Sequence, residues 1–353
     1  MTVSTSQLQT RIGRPAGSLF YGGAISPPYS LLDDPGTKDY WNTIKTMLAD
    51  SQVAAALGLR KRTGLTLLPE LTGDKAAVDF VSDVLSNITF VNDINDHQSR
   101  LEYGNAIQEI IWKVDQNIWR IEAIELRSNK NFRWFFTQNG QKFLQYYDGE
   151  WKFAPERKFM VGTHAATQEN PYGESVLKCI FPDWREKWQI KEYLDRLADK
   201  LSIPSFVALT HATNQTDLDS LSERLTEIQN GSGLAVSGVD SVVTLAATGQ
   251  VDQLLNAIKA LDQNISKGIT SQVLALDHGE RGSYALGDVH ENSLKIIAAM
   301  DIDEAAYAFN RQLFKWILEL NGLSGKAYFP VDALERVKIE IQQSKSGQGM
   351  YSI

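Results

Sequence analysis

The chain has 353 residues, of which 43% are hydrophobic, and this is enough apolar material for two or three modules with cores of their own. A formal charge of -8 excludes a surface that grips nucleic acid through bulk positive charge. The single cysteine, Cys179, excludes an internal disulfide framework and fits a chain made in a reducing cytoplasm. No apolar run approaches the ~20 residues that span a bilayer, so no membrane partner is expected.

The N-terminal part of the chain combines an irregular segment with two helical patterns. Residues 1–38 carry Gly-Gly and Pro-Pro pairs without a period, which predicts an arm available to a neighbouring subunit. Apolar residues three and four apart predict helices from Lys38 to Ala56 and from Asp74 to Ile88. The basic cluster Arg60-Lys61-Arg62 is interpreted as a solvated turn, with a subunit or nucleic-acid contact as the alternative.

From Tyr103 onward the pattern changes to that of strands. Short aromatic and β-branched segments, separated by Asn-Gly and Asp-Gly pairs, predict an antiparallel meander. Residues 39–171 are therefore predicted to form an α+β body. Most of its aromatic residues are interpreted as core, and a platform on which bases stack is the alternative.

Two long amphipathic helices are predicted to enclose a small module. The first covers residues 172–202, with a kink or a restart at Pro182, and the second covers residues 248–275. Residues 203–247 between them are predicted as a βαββ module that is too small to hold a large core unaided. The apolar stripe expected to pack between copies of the chain contains Trp184, Trp188, Leu194, Leu197 and Leu201, and the strands of the module contain Phe206, Val207, Leu209, Val242, Val243 and Leu245.

A glycine-rich loop, residues 276–289, separates the second long helix from a third. The third helix is predicted from His290 to Asn321, where Gly322 ends it, and a return strand is predicted within residues 326–343. Together these form a segment, residues 290–343, that belongs to the body. Residues 344–353 are predicted to be a flexible tail.

No stretch of the chain carries a catalytic signature. Asp277, His278, Asp288 and His290 are metal-ligating residue types, but their spacing matches no common zinc signature, so no metal and no cofactor are expected. The loop lacks the Lys-Ser/Thr ending of a nucleotide-binding loop, and Arg281 is the better candidate for a transient phosphate contact. Cys179 is interpreted as a buried, inert thiol and His164 as a hydrogen-bonded structural residue. A metal-dependent hydrolase using His278, Asp288 and His290 stays open as an alternative.

Several segments resemble the portal proteins of tailed bacteriophages in the Mu-like group. The resemblance covers roughly residues 40–325, and the loop motif that begins at Arg281 is its most specific part. The segments are Ala49-Asp50-Ser51-Gln52-Val53, Tyr103-Gly104-Asn105-Ala106 to Trp112, Asn170-Pro171-Tyr172-Gly173-Glu174-Ser175-Val176-Leu177, the helix from Trp184 to Lys200, Ile203-Pro204-Ser205-Phe206-Val207, and Arg281-Gly282-Ser283-Tyr284-Ala285-Leu286-Gly287-Asp288-Val289-His290.

The resemblance implies a homo-oligomeric ring, usually of twelve subunits, at one vertex of the virion capsid. Double-stranded DNA would be pumped through it by a terminase and would leave through a head-tail connector, and the major capsid or a scaffolding protein would be a further partner. In this portal fold the body is the wing, the two long helices are the stem, the βαββ module is the clip and the glycine-rich loop is the tunnel loop. The residues then expected at the bore are Asp277, His278, Gly279, Glu280, Arg281, Gly282, Ser283 and Tyr284. No enzymatic activity is implied, and a structural head or tail protein without a channel is the other alternative.

Overall fold

The structure is a computed structural model that describes residues 32, 37–136, 142–167, 170–202, 205–209, 214–220, 223, 241–245, 251–271 and 284–348. The chain divides into two compact units. The first contains Met1–Pro182 and Gln263–Ile353, and the second contains Asp183–Asp262. No helix in these ranges is long and apolar enough to cross a membrane.

The first unit begins with short helices. They are α1 (Lys38–Leu48), α2 (Ser51–Thr66), α3 (Lys75–Leu85), α4 (Phe90–His97) and α5 (Arg100–Tyr103). The single helix predicted from Lys38 to Ala56 is wrong, because the carboxylate of Asp50 accepts the N–H groups of Gln52 and Val53 and so caps a new helix. The solvated turn predicted at Arg60 is also wrong, because this residue lies inside α2 and is buried.

Two antiparallel three-stranded sheets follow α5. The first has the order β3-β2-β7 and contains β2 (Asn105–Asp115), β3 (Ile118–Arg127) and β7 (Phe159–Thr163). The second has the order β4-β5-β6 and contains β4 (Phe132–Phe136), β5 (Lys142–Asp148) and β6 (Glu150–Phe153). The predicted antiparallel strands are thus present, but they form two sheets because β7 returns to pair with β2.

Only one face of the second sheet packs on the body. Phe132 and Tyr146 lie on this face, and their ring centroids are 5.2 and 5.8 Å from that of Phe159 in β7. The opposite face exposes aromatic side chains, including Phe143 and Phe153. The interpretation of the aromatic residues as core is therefore right for one face and wrong for the other.

The C-terminal part of the first unit is mostly helical. It contains α8 (Tyr284–Phe309), a π-helical turn (Asn310–Phe314), α9 (Lys315–Leu320), β10 (Ala327–Tyr328) and α10 (Ala333–Gln348), and β10 pairs with β1 (Thr72–Gly73). The third long helix starts at Tyr284 rather than His290, so the end of the predicted loop is helical. The return strand is reduced to β10, and α10 extends into the predicted tail. The carboxylate of Asp303 accepts the N–H groups of Ala333 and Leu334 and thereby starts this helix.

The core of the first unit lies between the β3-β2-β7 sheet and the C-terminal helices. Phe309 and Phe314 are fully buried there, with Ile110 and Met160 contributed by the sheet. Burying one such side chain contributes roughly 1.5–3 kcal/mol. Alanines at 305 and 306 let α8 approach the other core elements closely.

The side-chain amides of three residues form hydrogen bonds with main-chain groups at or beside strand edges of the first unit. Gln312 donates to the carbonyl and accepts from the N–H of Val161 in β7, both at 2.9 Å. Asn310 pairs in the same way with Phe329, and Asn321 with Trp119 in β3. Each amide replaces a missing neighbour strand, which keeps the edge from pairing with another chain.

The second unit contains parts of two long helices and a strand pair. The helices are α6 (Phe181–Ser202) and α7 (Val251–Thr270), whose outer ends belong to the first unit, and the strands are β8 (Ser205–Leu209) and β9 (Ser241–Leu245). Helix α6 starts at Phe181 rather than at residue 172, because Pro182 occupies the first turn, where its missing N–H costs no intrahelical bond. Strands β8 and β9 are antiparallel, with Ser205 opposite Leu245. The third predicted strand of the βαββ module lies outside the described residues.

Candidate subunit-packing surface and loop anchor

The stripe predicted on α6 is only partly covered. Trp188 is 46% exposed, and Trp184, Leu194 and Leu197 are half-buried. The Trp184 and Trp188 rings meet edge to face at 6.4 Å, and the Lys191 ammonium lies 4.8 Å from the Trp188 ring. The side chain of Leu201 is outside the described residues. Aromatic side chains presented in this way are the kind enriched at protein interfaces.

Sequence reasoning missed two features of α6. Tyr193 is 62% exposed and lies about 140° around the helix from Trp188, so it presents an aromatic ring on a second side of α6. The Lys187 ammonium, although almost fully buried, lies 2.6 Å from a carboxylate oxygen of Asp262 and joins α6 to α7. A buried cation needs such a partner, because leaving it unpaired costs several kcal/mol. The pair fixes the two helices to each other within the second unit.

A buried arginine joins the two helices that flank the predicted tunnel loop. Arg60 Nε and Nη2 donate to the two carboxylate oxygens of Asp301 in α8 at 2.7 and 2.9 Å. Its Nη1 donates to the carbonyl oxygen of Ile269, in the last turn of α7, at 2.9 Å. The end of α7 and the middle of α8 are therefore held by one side chain of α2. We call this group of three residues the loop anchor.

A second buried arginine extends the loop anchor toward the surface. Arg100 Nη2 donates to the main-chain carbonyl of Asp301, and its Nη1 donates to Gln98 at 2.9 Å. Its Nε lies 3.8 Å from a carboxylate oxygen of Glu304, which also contacts His164 Nδ1 at 3.0 Å. Burial lowers the pKa of Arg100, and the charges of Asp301 and Glu304 oppose this shift. Burial by itself would raise the pKa of Glu304, but the hydrogen bond with His164 and the nearby cations hold it below its usual value.

Within the described part of the chain, the potential ligands of a metal ion belong to this same group of side chains. Ligand atoms of His164, Asp301 and Glu304 lie within 4.8 Å of one another. Both carboxylates already pair with guanidinium groups, so a further cation there would meet like charge. His164 has the hydrogen-bonded role predicted for it. Cys179 is exposed, so its interpretation as a buried thiol is wrong.

The residues predicted at the bore fall mainly outside the described part of the chain. Asp277, His278, Gly279, Glu280, Arg281, Gly282 and Ser283 are all in this group, and Tyr284 is the first residue of α8. Of the hydrolase candidates, Asp288 and His290 lie on α8, and their side chains are not described. The residues predicted for the clip are in two strands: Phe206, Val207 and Leu209 are in β8, and Val242, Val243 and Leu245 are in β9. Their assignment to a clip stays a prediction, as does the assignment of the tunnel loop.

Comparison with known proteins identifies the family. The family described as the portal protein of Mu bacteriophage matches residues 41–348. The chain belongs to this portal protein family. A portal protein of Escherichia phage Mu is 32% identical over 89 residues, which are 25% of this chain and 17% of that protein. The family resemblance seen in the sequence is therefore confirmed.

Solved structures of chains in gene transfer agent particles share the fold of this chain. A chain of the virion of a native gene transfer agent particle has a TM-score of 0.60 and 12% identity, with 94% of this chain and 93% of that chain covered. A chain from the neck of the empty particle, computed with C6 symmetry, has a TM-score of 0.62 and 12% identity, with 91% and 92% covered. The predicted α+β portal fold is confirmed.

Proposed function

We propose that this portal protein forms the ring-shaped channel for double-stranded DNA at the unique capsid vertex of a tailed phage. The observation that carries the proposal is the family match across residues 41–348. In the ring, residues 39–171 serve as the wing, α6 and α7 as the stem, residues 203–247 as the clip and residues 276–289 as the loop region at the bore. The chain has no catalytic task, and the virion is its final location.

The exposed aromatic stripe of α6 supports assembly from identical copies. Trp188 on the stripe and Tyr193 on a second side of the helix both leave apolar area exposed, and the Lys187–Asp262 ion pair holds the helix to α7. Packing this stripe against a neighbouring subunit removes it from water at roughly 25 cal/mol per Å². A head-to-tail contact repeated around an axis closes into a ring. A ring of twelve subunits is proposed, in agreement with the C12 symmetry computed for the neck of a native gene transfer agent particle, in which a chain has a similar fold.

The β8–β9 pair supports the same arrangement. Within the described residues β8 and β9 pair only with each other, and a two-stranded pair is marginally stable in water without further strands or packing. Their outer edges are suited to pairing with strands of adjacent subunits. The clip of the assembled ring would then meet the terminase during packaging and the head-tail connector afterwards, and the wing would face the major capsid or scaffolding protein.

Assembly is tested by replacing Trp188 and Tyr193 together with alanine and counting subunits by mass photometry and electron microscopy. The wild-type chain is expected to form rings with an open centre, and the double variant is expected to remain monomeric with unchanged circular dichroism. Leu218→Ala, which removes another exposed apolar side chain of the second unit, is the matched control and leaves the ring intact. A wild-type chain that stays monomeric at high concentration would overturn the proposal.

The role of the loop is tested separately from assembly. Residues 279–283 are replaced with a Gly/Ser sequence of equal length, which leaves α8 untouched. Rings are expected to form normally, whereas DNA packaging or retention in an infection assay is expected to fall. Loss of the ring would contradict the placement of this loop at the bore.

A further inference from the structure

The second sheet presents an aromatic face that the described part of the chain does not cover. By the strand register, one face carries Phe135, Phe143, Tyr147, Trp151 and Phe153. These five side chains are 36–56% exposed. At roughly 150–250 Å² per aromatic side chain, the exposed area is roughly 350–550 Å². Patches of this size are among the largest on soluble monomers, and many of them bind a partner.

The chemistry of this aromatic face favours an uncharged occupant. Arg133 is the charged residue on the face by register, and its guanidinium lies 4.2 Å from the Trp151 ring. The same side chain donates to Gln145 at 2.8 Å. Arg133 is exposed and keeps its positive charge, but these two contacts hold its guanidinium against the sheet, and most of the surface that a partner would meet consists of aromatic rings. Such surfaces recognise proline-rich segments in the polyproline II conformation.

The N-terminal arm of the chain contains a segment with matching chemistry. Residues 15–32 carry no charged side chain, and Pro27-Pro28 favours the polyproline II conformation. Phe20, Tyr21 and Tyr29 add aromatic groups, and the glycine and proline pairs oppose a helix. Fully extended, the segment is roughly 55 Å long at ~3.1 Å per residue. Three strands at ~4.8 Å spacing are much narrower than this, so the segment is long enough to cross the sheet.

The arm also joins the body beside this sheet. Leu32, the last residue of the uncharged arm segment, is buried. Trp41 in α1 lines a small cavity together with Phe132, Arg133 and Trp134 of β4. By register Phe132 and Trp134 lie on the opposite side of the sheet from the aromatic face, and β4 is one of its two edge strands. The arm therefore reaches the aromatic face by passing around the β4 edge.

We propose that the uncharged arm segment, residues 15–32, docks on the aromatic face of the β4-β5-β6 sheet through Pro27, Pro28 and its aromatic residues. Docking covers the exposed rings and fixes the arm on the body. The proposal does not depend on the ring or on a DNA channel, because it concerns contacts of an arm with a sheet.

The test measures chymotrypsin cleavage of the arm in the full-length chain. Cleavage of a docked segment follows the population of its open form when opening is fast. Phe143→Glu combined with Phe153→Glu disrupts the face at two exposed positions and is expected to speed cleavage after Phe20, Tyr21 and Tyr29 at least about tenfold. Val114→Glu combined with Ile339→Glu changes two similarly exposed apolar positions elsewhere and is expected to leave the cleavage rate unchanged.

A reciprocal experiment changes the arm and observes the face. Pro27→Gly combined with Pro28→Gly is expected to increase hydroxyl-radical oxidation of Tyr147 and Trp151, measured by mass spectrometry at a fixed protein concentration. Equal arm cleavage in all variants overturns the proposal. Oxidation of Trp151 that is low in both wild type and arm variant also overturns it, and shows that a second copy or another protein covers the face.

Discussion

The loop anchor is expected to contribute strongly to the stability of the first unit. Arg60→Met removes both hydrogen bonds to the carboxylate of Asp301, whose side chain is 3% exposed. Arg100 does not replace them, because it donates to the main-chain carbonyl of Asp301. Removing one partner of a buried ion pair lowers the unfolding free energy by roughly 3–5 kcal/mol. In a unit of this size, each kcal/mol of lost unfolding free energy lowers Tm by roughly 2–4 °C, so Tm is expected to fall by about 10 °C.

The assay is thermal unfolding followed by circular dichroism, with urea unfolding as a second measure. Arg60→Met combined with Asp301→Leu removes both charges and is expected to cost less than Arg60→Met alone, because no unpaired carboxylate is left buried. Arg196→Met is the control, since its ion pair with Glu192 is 66% and 64% exposed and contributes at most about 1 kcal/mol. If Arg60→Met has the Tm of the wild type, or if adding Asp301→Leu lowers Tm further, the ion pair does not stabilise the unit in this way.

Three further predictions concern other buried polar groups. Burial lowers the pKa of His97 to about 3. The stability that the neutral His97 contributes is therefore present above the unfolded-state pKa of ~6.5 and is lost as the pH falls toward 3, by up to ~1.4 kcal/mol per pH unit. The variant His97→Gln is expected to show a smaller dependence of the unfolding free energy on pH, measured by urea unfolding at several pH values. Gln312→Ala leaves both main-chain groups of Val161 unpaired, which predicts a loss of roughly 1–3 kcal/mol and increased light scattering on heating. Lys187→Met removes the ion pair between α6 and Asp262 of α7 and is expected to speed amide exchange in α6.

Local sequence pattern was sufficient where a helix carries a regular apolar stripe. Helix α3 was predicted from Asp74 to Ile88 and spans Lys75–Leu85. The pattern failed for α10, where Val337, Ile339 and Ile341 alternate with polar residues like a strand. In the structure Ala333 and Val337 are buried while Ile339 is 47% exposed, which is the spacing of four that a helix produces. The start of this helix depends on Asp303, which is distant in sequence and gives no local signal.

Polar contacts between residues far apart in the sequence could not be predicted from local sequence pattern. Arg60 sits in a run of three basic residues, which is ordinarily a solvated surface, and its partner Asp301 is 241 residues away. Trp184 and Trp188 could be placed on one apolar stripe of α6 because spacing along a helix is local, and their role in subunit packing stays a prediction. Tyr193 was missed because it lies off the apolar repeat of the helix. The periodic part of the site was therefore accessible, and the part made by tertiary contact was not.

The choice of an ionic loop anchor, where apolar side chains would stabilise equally well, has a testable consequence. Well-packed apolar replacements of buried ion pairs are often neutral or stabilising, so stability alone does not explain the pair. Arg60 differs from an apolar residue in that it also holds the Ile269 carbonyl, at a fixed distance from Asp301. We therefore expect the Arg60→Met and Asp301→Leu double variant to assemble into rings while the amides in the last turn of α7 exchange faster with solvent. Unchanged exchange in that turn would mean that apolar packing alone fixes the helix end, and that the guanidinium has no part in positioning it.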